Sequence, residues 1–155
     1  MGSGKSVVGA LVAQRTNSPF HDLDLMVEAD SGMTIPEIFA SGGEPAFRAL
    51  ETRLLPSALE PGSVVALGGG SLIDDANWAA VSRDSTTVYL EVPFQTIWER
   101  IRKLAGRPLA SGRSRRDVES LFETRRARYE KAMHRVNGDR PPVVVADEVI
   151  KLWSA

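Results

Sequence analysis

The stretch Gly2-Ser3-Gly4-Lys5-Ser6 decides the fold, because it matches the end of a phosphate-binding motif and runs straight into a helical pattern. In the motif GxxxxGK[ST], backbone N–H groups of a glycine-rich turn surround the phosphates. The lysine neutralises their charge and the hydroxyl binds Mg²⁺. Val8, Leu11 and Val12 then recur at helical spacing. Since a helix N-terminus favours anions, we expect a protein that binds phosphate here.

Only the last three positions of the motif, Gly4-Lys5-Ser6, are fully matched. In a doubly wound sheet the phosphate loop follows a central strand. We therefore expect the first motif glycine and that first central strand to lie ahead of Met1, and so to be missing from the 155 residues. One alternative stays open at this point: a glycine- and serine-rich terminus before an ordinary amphipathic helix.

The composition indicates one domain spanning residues 1–155, with 43% hydrophobic and 25% charged residues. Nineteen Lys and Arg residues against twenty Asp and Glu residues give a net charge of -1, which favours neither nucleic acid nor an anionic membrane as a partner. Cysteine is absent, so disulfides and thiolate metal sites are excluded. Without a signal-peptide pattern or a long apolar run, we expect a cytoplasmic protein.

Short apolar runs alternate with helical patterns along the chain. This order predicts a three-layer α/β/α fold around a mostly parallel sheet. Residues 135–137 are interpreted as a short connecting segment. The predicted strands are 20–25, 63–67 and 86–90. One predicted helix begins at the loop and another begins at residue 74 and contains Trp78 and Val81; the others span 34–40, 44–59, 94–104, 117–131 and 142–153.

Two features follow predicted strands, where ligands bind in α/β folds. Asp22 and Asp24 are two residues apart, which would place both carboxylates on one face at the end of the first strand. One could hold Mg²⁺ and the other could orient or deprotonate an alcohol. A helix cap in a solvated loop is the alternative. Residues 68–70, three glycines in a row, suggest either close approach of a ligand or a tight turn.

Six ordered motifs together resemble the shikimate kinase family over nearly the whole chain. They are GSGKS at residues 2–6, Phe20-His21-Asp22-Leu23-Asp24, Gly43-Glu44-Pro45-Ala46-Phe47-Arg48 with Glu51, Leu67-Gly68-Gly69-Gly70-Ser71, Arg107-Pro108-Leu109, and Arg125 four residues before Tyr129. The resemblance implies a P-loop kinase fold and ATP-dependent phosphorylation of the 3-hydroxyl of shikimate. It also implies a mobile lid, at residues 106–117.

On the acceptor side, the resemblance implies that Asp24 binds the substrate hydroxyls and acts as the catalytic base. Arg48 and Arg125 would bind the shikimate carboxylate, and Gly69 and Gly70 would donate backbone contacts. Guanidinium groups suit a carboxylate because they bind it in a bidentate way and keep their charge. Ala127 stands where the family tends to carry proline. The match to the motif at residues 125–128 could therefore be shifted by one residue, so the assignment of Arg125 stays open to that extent.

On the nucleotide side, the resemblance implies ATP and Mg²⁺ as cofactors. Lys5 and Arg107 would act on the transferring phosphoryl group, since phosphoryl transfer needs positive charge near the migrating group. Ser6 and Asp22 would hold the metal, and Arg140 would lie near the adenine. The nucleotide-binding set is therefore Gly2, Ser3, Gly4, Lys5, Ser6, Arg107 and Arg140.

Two other functions stay open at the level of sequence. One is a different small-metabolite kinase, such as a gluconate or nucleoside monophosphate kinase. The other is a non-catalytic homologue that binds nucleotide, which the incomplete loop motif would explain. In each case we expect a monomer whose partner is a small molecule rather than a nucleic acid or a membrane.

Overall fold

The computed structural model describes residues 2–103 and 114–153, and those residues form helices alternating with short strands. This arrangement confirms the α/β class expected from the sequence. The elements are α1 Lys5–Thr16, β1 Phe20–Asp22, α2 Leu23–Ser31, α3 Ile35–Ala58, β2 Val64–Ala66, α4 Asp75–Asp84, β3 Val88–Glu91, α5 Phe94–Arg102, α6 Arg115–Tyr129, β4 His134–Asn137 and α7 Pro142–Trp153.

The four strands form two parallel pairs. β1 pairs with β2, so that Phe20 lies opposite Val64, and β3 pairs with β4, so that Val88 lies opposite His134. Within the described ranges, β2 and β3 do not pair with each other. A cavity of about 440 Å³ lies between the two pairs and is lined by apolar side chains from β2, β3 and α1. The expected additional central strand stays a prediction.

Helix α1 connects the two halves of the fold. Its buried Val8 and Val12 pack with Leu90 of β3 and Val145 of α7, in a cluster that holds the β3–β4 pair. Gly9 lies so close to Phe20 of β1 that an added Cβ would be 2.7 Å from the ring. Helix α1 is thereby fixed against both strand pairs, which sets where the glycine-rich segment before it ends.

Helix α3 is kinked at Gly43, whose backbone angles are φ 68° and ψ −171°. A positive φ favours glycine, and the sequence had predicted a break at this point. The first segment begins with a capping box, in which the Thr34 N–H donates to Glu37 at 2.7 Å. The second segment begins at Glu44 and continues through Pro56 to Ala58. It carries Arg48, one of the residues that the sequence predicts on the acceptor side.

Three differences from the sequence predictions change what an element is or where the predicted lid begins and ends. The first strand ends at Asp22 rather than residue 25, because α2 begins at Leu23. Residues 134–137 form strand β4 rather than a connecting segment, because pairing with β3 extends them. Helix α6 begins at Arg115, where Ser114 and Asp117 form a capping box, so residues 115–117 belong to a helix and not to the predicted lid. Residues 106–113 of that lid lie outside the described residues.

Candidate active site

Asp22 and Asp24 stand at the start of α2, and the sequence interpretation of them as two strand residues on one face was wrong. Asp22 is the N-cap of the helix, and its Oδ1 accepts a hydrogen bond from the Asp24 N–H at 3.1 Å. Asp24 lies in the first turn, where a carboxylate is favoured by the helix dipole. Leu23, between them, is fully buried and fixes this turn against the core. The geometry therefore separates the two acids into a cap and a residue of the first helical turn.

Arg48 and Glu51 lie one turn apart on the second segment of α3. Phe47 and Leu55 of this segment are buried in the core, which turns Arg48 and Glu51 towards the glycine-rich segment after β2. Arg48 Nη1 donates to Glu51, and its Nη2 donates to Glu44 Oε1 at 2.8 Å. Burial alone would lower the pKa of Arg48, but the two carboxylates raise it. The guanidinium is therefore held in one orientation and stays charged.

Glu51 is the most deeply buried acid of the site, with 0% of its surface exposed. It accepts hydrogen bonds from Arg48 and from the Ser71 hydroxyl. The Ser71 carbonyl in turn accepts from Asn77 Nδ2 at 3.0 Å. Burial raises the pKa of Glu51, while the Ser71 hydrogen bond and the Arg48 charge act in the opposite direction. Glu51 therefore connects α3 to the segment after the glycine triplet.

The glycine triplet passes directly over these polar groups. A Cβ added at Gly68 would lie 2.7 Å from Glu51 Oε1, 2.9 Å from Ser71 Oγ and 3.0 Å from Asp24 Oδ1. A Cβ added at Gly70 would overlap the Arg48 guanidinium. No larger residue fits at either position without movement. The groups that approach the triplet here are side chains of the protein, and close approach of a ligand stays a prediction. Asp24 and Glu51 thus lie beside Gly68, and Arg48 lies beside Gly70.

Arg125 and Tyr129 close the site from α6. Arg125 is 5% exposed, its Nη2 is 3.6 Å from Glu44 Oε1, and its Nη1 has no hydrogen-bond partner among the residues described. Arg126, the neighbour in the open register, lies on the exposed face and pairs with Glu130 at 2.9 Å. The structure thus turns Arg125 towards the site and Arg126 away from it.

Tyr129 fixes the glycine triplet from the other side. Its hydroxyl donates to the Gly69 carbonyl, and its ring lies 5.6 Å from the ring of Tyr89. Burial raises the pKa of Tyr129, against the lowering effect of Arg125, so the hydroxyl remains a donor. With its carbonyl held by Tyr129, Gly69 has one fixed orientation of the peptide that follows it.

The phosphate loop lies at one end of the cavity between the strand pairs. Ser3 and Lys5 line that cavity together with Gly68 and Gly69. Gly2 and Gly4 have positive φ angles of 62° and 90°, and Gly4 is the N-cap of α1. Such a left-handed turn before a helix points backbone N–H groups at an anion. Arg100 Nη1 donates to the Gly2 carbonyl at 3.2 Å and holds the turn against α5.

The structure describes the remaining predicted residues unequally. Ser6 is exposed in the first turn of α1, next to the loop. Arg140, just before α7, donates to the Asn137 carbonyl at 3.3 Å and pairs with Glu148. Arg107 lies outside the described residues. The acceptor-side residues are thus brought together around the glycine triplet, whereas Arg140 lies apart from them at the end of β4.

Sequence reasoning missed several residues of the site. The sequence motifs contain Glu44, Glu51, Ser71 and Tyr129 but predict no role for them, whereas the structure shows their contacts within the site. A signal for Glu51 existed, because an acid at that position lies on the inward face of α3 with Phe47 and Leu55. An acid on an apolar helical face requires a partner, and Arg48 is one turn away.

The comparisons with known proteins agree on one family. The sequence profile described as SKI, shikimate kinase, matches residues 1–153. The shikimate kinase of Salinibacter ruber is 39% identical over 166 residues, which cover 100% of this chain and 81% of the relative. That of Aquifex aeolicus is 39% identical over 153 residues and covers 97% of this chain and 89% of the relative.

Solved structures give the same answer. A shikimate kinase from Acinetobacter baumannii in complex with shikimate superposes with a TM-score of 0.94 at 28% identity, covering 99% of this chain and 88% of that one. The crystal structure of the Aquifex aeolicus shikimate kinase superposes with a TM-score of 0.87 at 35% identity, covering 99% of this chain and 92% of that one. In the part of the chain that the structure describes, no helix is long and apolar enough to cross a membrane.

Proposed function

The chain belongs to the shikimate kinase family, and from that premise we propose that its site transfers the γ-phosphoryl group of ATP to the 3-hydroxyl of shikimate. One observation carries the assignment: Asp24, Arg48 and a buried Glu51 converge on a glycine triplet that shares a cavity wall with the phosphate loop. An acid, a cation and a phosphate site that meet in this way suit phosphorylation of a small hydroxy acid.

On the acceptor side, Arg48 and Arg125 bind the carboxylate of shikimate, and Gly69 and Gly70 contact the ring substituents through their backbone. The buried Nη1 of Arg125, which has no hydrogen-bond acceptor among the described residues, supports this role, since a buried donor without an acceptor is costly. Asp24 Oδ1 faces the same space and accepts the proton of the attacking hydroxyl.

On the phosphate side, Lys5 and the backbone of Gly2, Ser3 and Gly4 bind the phosphates of ATP. The left-handed turn at Gly4 and the N-terminus of α1 support this role. Arg107 adds positive charge to the transferring group, and Arg140 lies against the adenine. Phosphoryl transfer depends on position and charge more than on covalent chemistry, so these groups supply most of what the reaction requires.

Ser6 and Asp22 would hold Mg²⁺, which when bound would supply positive charge against the phosphates of ATP. Both supply hard oxygen atoms, the kind of ligand that Mg²⁺ prefers. The helix cap uses Oδ1 of Asp22, so Oδ2 would be the oxygen available to hold the cation, directly or through water. We also propose that the protein acts as a cytoplasmic monomer on small molecules, consistent with a net charge of -1 that attracts neither nucleic acid nor membrane.

A substrate panel tests the assignment. The purified chain is assayed with ATP and Mg²⁺ against shikimate, gluconate and a nucleoside monophosphate, with phosphorylated product detected by mass spectrometry. We expect shikimate to give the largest kcat/KM. Faster turnover on gluconate or a nucleotide would overturn the acceptor. ATP binding by calorimetry, with no phosphorylated shikimate formed, would identify the non-catalytic homologue instead.

A further inference from the structure

Glu44 lies where a substrate carboxylate is expected to bind. It is the first residue after the Gly43 kink of α3. Its Oε1 accepts from Arg48 Nη2 at 2.8 Å and from Arg48 Nε at 3.2 Å, and it is 3.6 Å from Arg125 Nη2. The two guanidinium groups that form the carboxylate site are thus already joined by a carboxylate of the chain itself.

Glu44 and Glu51 both pair with Arg48, but they differ in how easily they can leave it. Glu51 is completely buried and also accepts from Ser71, so moving it out of the site would break a buried ion pair and leave Arg48 without that partner. The Glu44 side chain is 42% exposed and can turn into water. The contact with Arg125 is long, and Arg125 Nη1 has no partner within the described ranges. Glu44 therefore pairs well with Arg48 but leaves the hydrogen-bonding capacity of Arg125 partly unused.

The charge balance shows why Glu44 and a substrate carboxylate exclude each other. Arg48 and Arg125 carry two positive charges, and Glu51 and Glu44 carry two negative ones. A third carboxylate at the same guanidinium groups would meet repulsion from Glu44 at short range, with Asp24 close by. Departure of Glu44 into solvent restores the balance.

We propose that Glu44 is a placeholder for the substrate carboxylate: it occupies the site between Arg48 and Arg125 and is displaced when an acid binds. The proposal rests on the proposed function, and it makes Glu44 a specificity-determining residue. A neutral acceptor of the same shape gains no ion pair to replace the one it breaks, so it is rejected. The acid itself binds more weakly than the two arginines alone would allow, because it competes with Glu44.

The test measures binding without chemistry. The probes are cyclohex-1-ene-1-carboxylate, which has the ring and the acid but no hydroxyl, and its primary amide, each titrated by calorimetry without nucleotide. In Glu44→Gln the carboxylate should bind roughly two- to fivefold more tightly than in the wild type, the range of one partly exposed ion pair. The preference for the acid over the amide should fall. Glu123→Gln, which removes an exposed partner of Arg126 on α6, is the matched control and should change neither value.

Equal or weaker binding of the carboxylate in Glu44→Gln would overturn the proposal and make Glu44 a residue that only positions Arg48. Thermal unfolding of each variant establishes that it is folded, and Glu44→Ala serves as the second variant, with the same expected tightening. The two proposals fail separately. A wild type without shikimate kinase activity, whose Glu44→Gln variant still binds the probe more tightly, would refute the function alone. Normal activity without tightening would refute the placeholder alone.

Discussion

The acceptor side and the phosphate side of the site are built in different ways. On the acceptor side, the Glu51 and Arg125 side chains are buried. Glu51 of α3 accepts from Ser71, just after the glycine triplet, and Arg125 of α6 pairs with Glu44 of α3. On the phosphate side, residues 2–6 are half-exposed or exposed, and a left-handed turn with a helix N-terminus presents backbone groups. Under the proposed function, recognition of the acceptor would therefore be part of the core, whereas recognition of phosphate would depend on local backbone shape.

This difference predicts that acceptor-side substitutions change recognition of the acid and leave nucleotide binding intact. The largest effect is expected at Asp24, since loss of a general base costs about 10²–10⁴-fold in rate. Asp24→Asn should lower kcat with shikimate by about 10³-fold, while the dissociation constant for ATP, measured by calorimetry, stays within about twofold. Asp30→Asn, on the exposed end of the same helix, is the control. Equal loss of turnover and ATP binding would show that the two sides are not separable.

Arg48→Lys should give the next largest effect. An ammonium group cannot reproduce the planar fork that contacts Glu44, Glu51 and the substrate together. Loss of a hydrogen bond between charged groups costs about 1.5–3 kcal/mol, so KM for shikimate should rise by roughly 10- to 100-fold. KM for ATP is the internal control, and a parallel rise in both constants would contradict the separation of the two sides.

Much of the fold was predictable, and the failures have physical causes. Helices with clear apolar periodicity, such as α1 and α5, were placed within two residues of their observed ends. Strand β4 was missed because only Val136 of its four residues is buried, so its structure depends on pairing with β3 rather than on a local pattern. The first strand was predicted too long because the short apolar pattern of Leu23 and Leu25 fits either a strand or the start of a helix.

The candidate site shows the same limit. Asp24 and Arg48 were predicted because they stand in specific motifs, and the structure brings them together. Glu51 was given no role because charge is normally a sign of exposure, and only the folded chain shows the Arg48 and Ser71 groups that surround it. Tyr129 contacts Gly69 across 60 positions of sequence. No local pattern indicates such a contact.

Glu51→Gln tests the buried acceptor side through the pH dependence of the free energy of unfolding. Because burial raises the folded-state pKa of Glu51 above its usual 4.5, the folded protein holds this proton to higher pH than the unfolded chain does. Ionisation in the wild type therefore costs stability as the pH rises above about 4.5. Urea unfolding at pH 5 and pH 8 should show the stability of wild type falling relative to Glu51→Gln.

The same variant should raise KM for shikimate by about tenfold, because Arg48 loses one of its two anchoring carboxylates. Glu119→Gln, on the exposed face of α6, should change neither the pH trend nor KM. A relative stability that is the same at both pH values would mean that Glu51 ionises as readily in the folded chain as in the unfolded one.

The smallest effect is expected from Tyr129→Phe, which removes only the hydroxyl that donates to the Gly69 carbonyl. A single hydrogen bond contributes about 1 kcal/mol, so KM for shikimate should rise by roughly fivefold, with kcat and KM for ATP little changed. Tyr89→Phe is the matched control, because it keeps the neighbouring ring, 5.6 Å away, and removes a hydroxyl of the same kind. Since burial raises the pKa of Tyr129, the hydroxyl stays protonated and the effect should be the same at pH 7 and pH 9. An unchanged KM for shikimate would show that Gly68 and Gly70, through their contacts with Glu51 and Arg48, already fix the triplet without Tyr129.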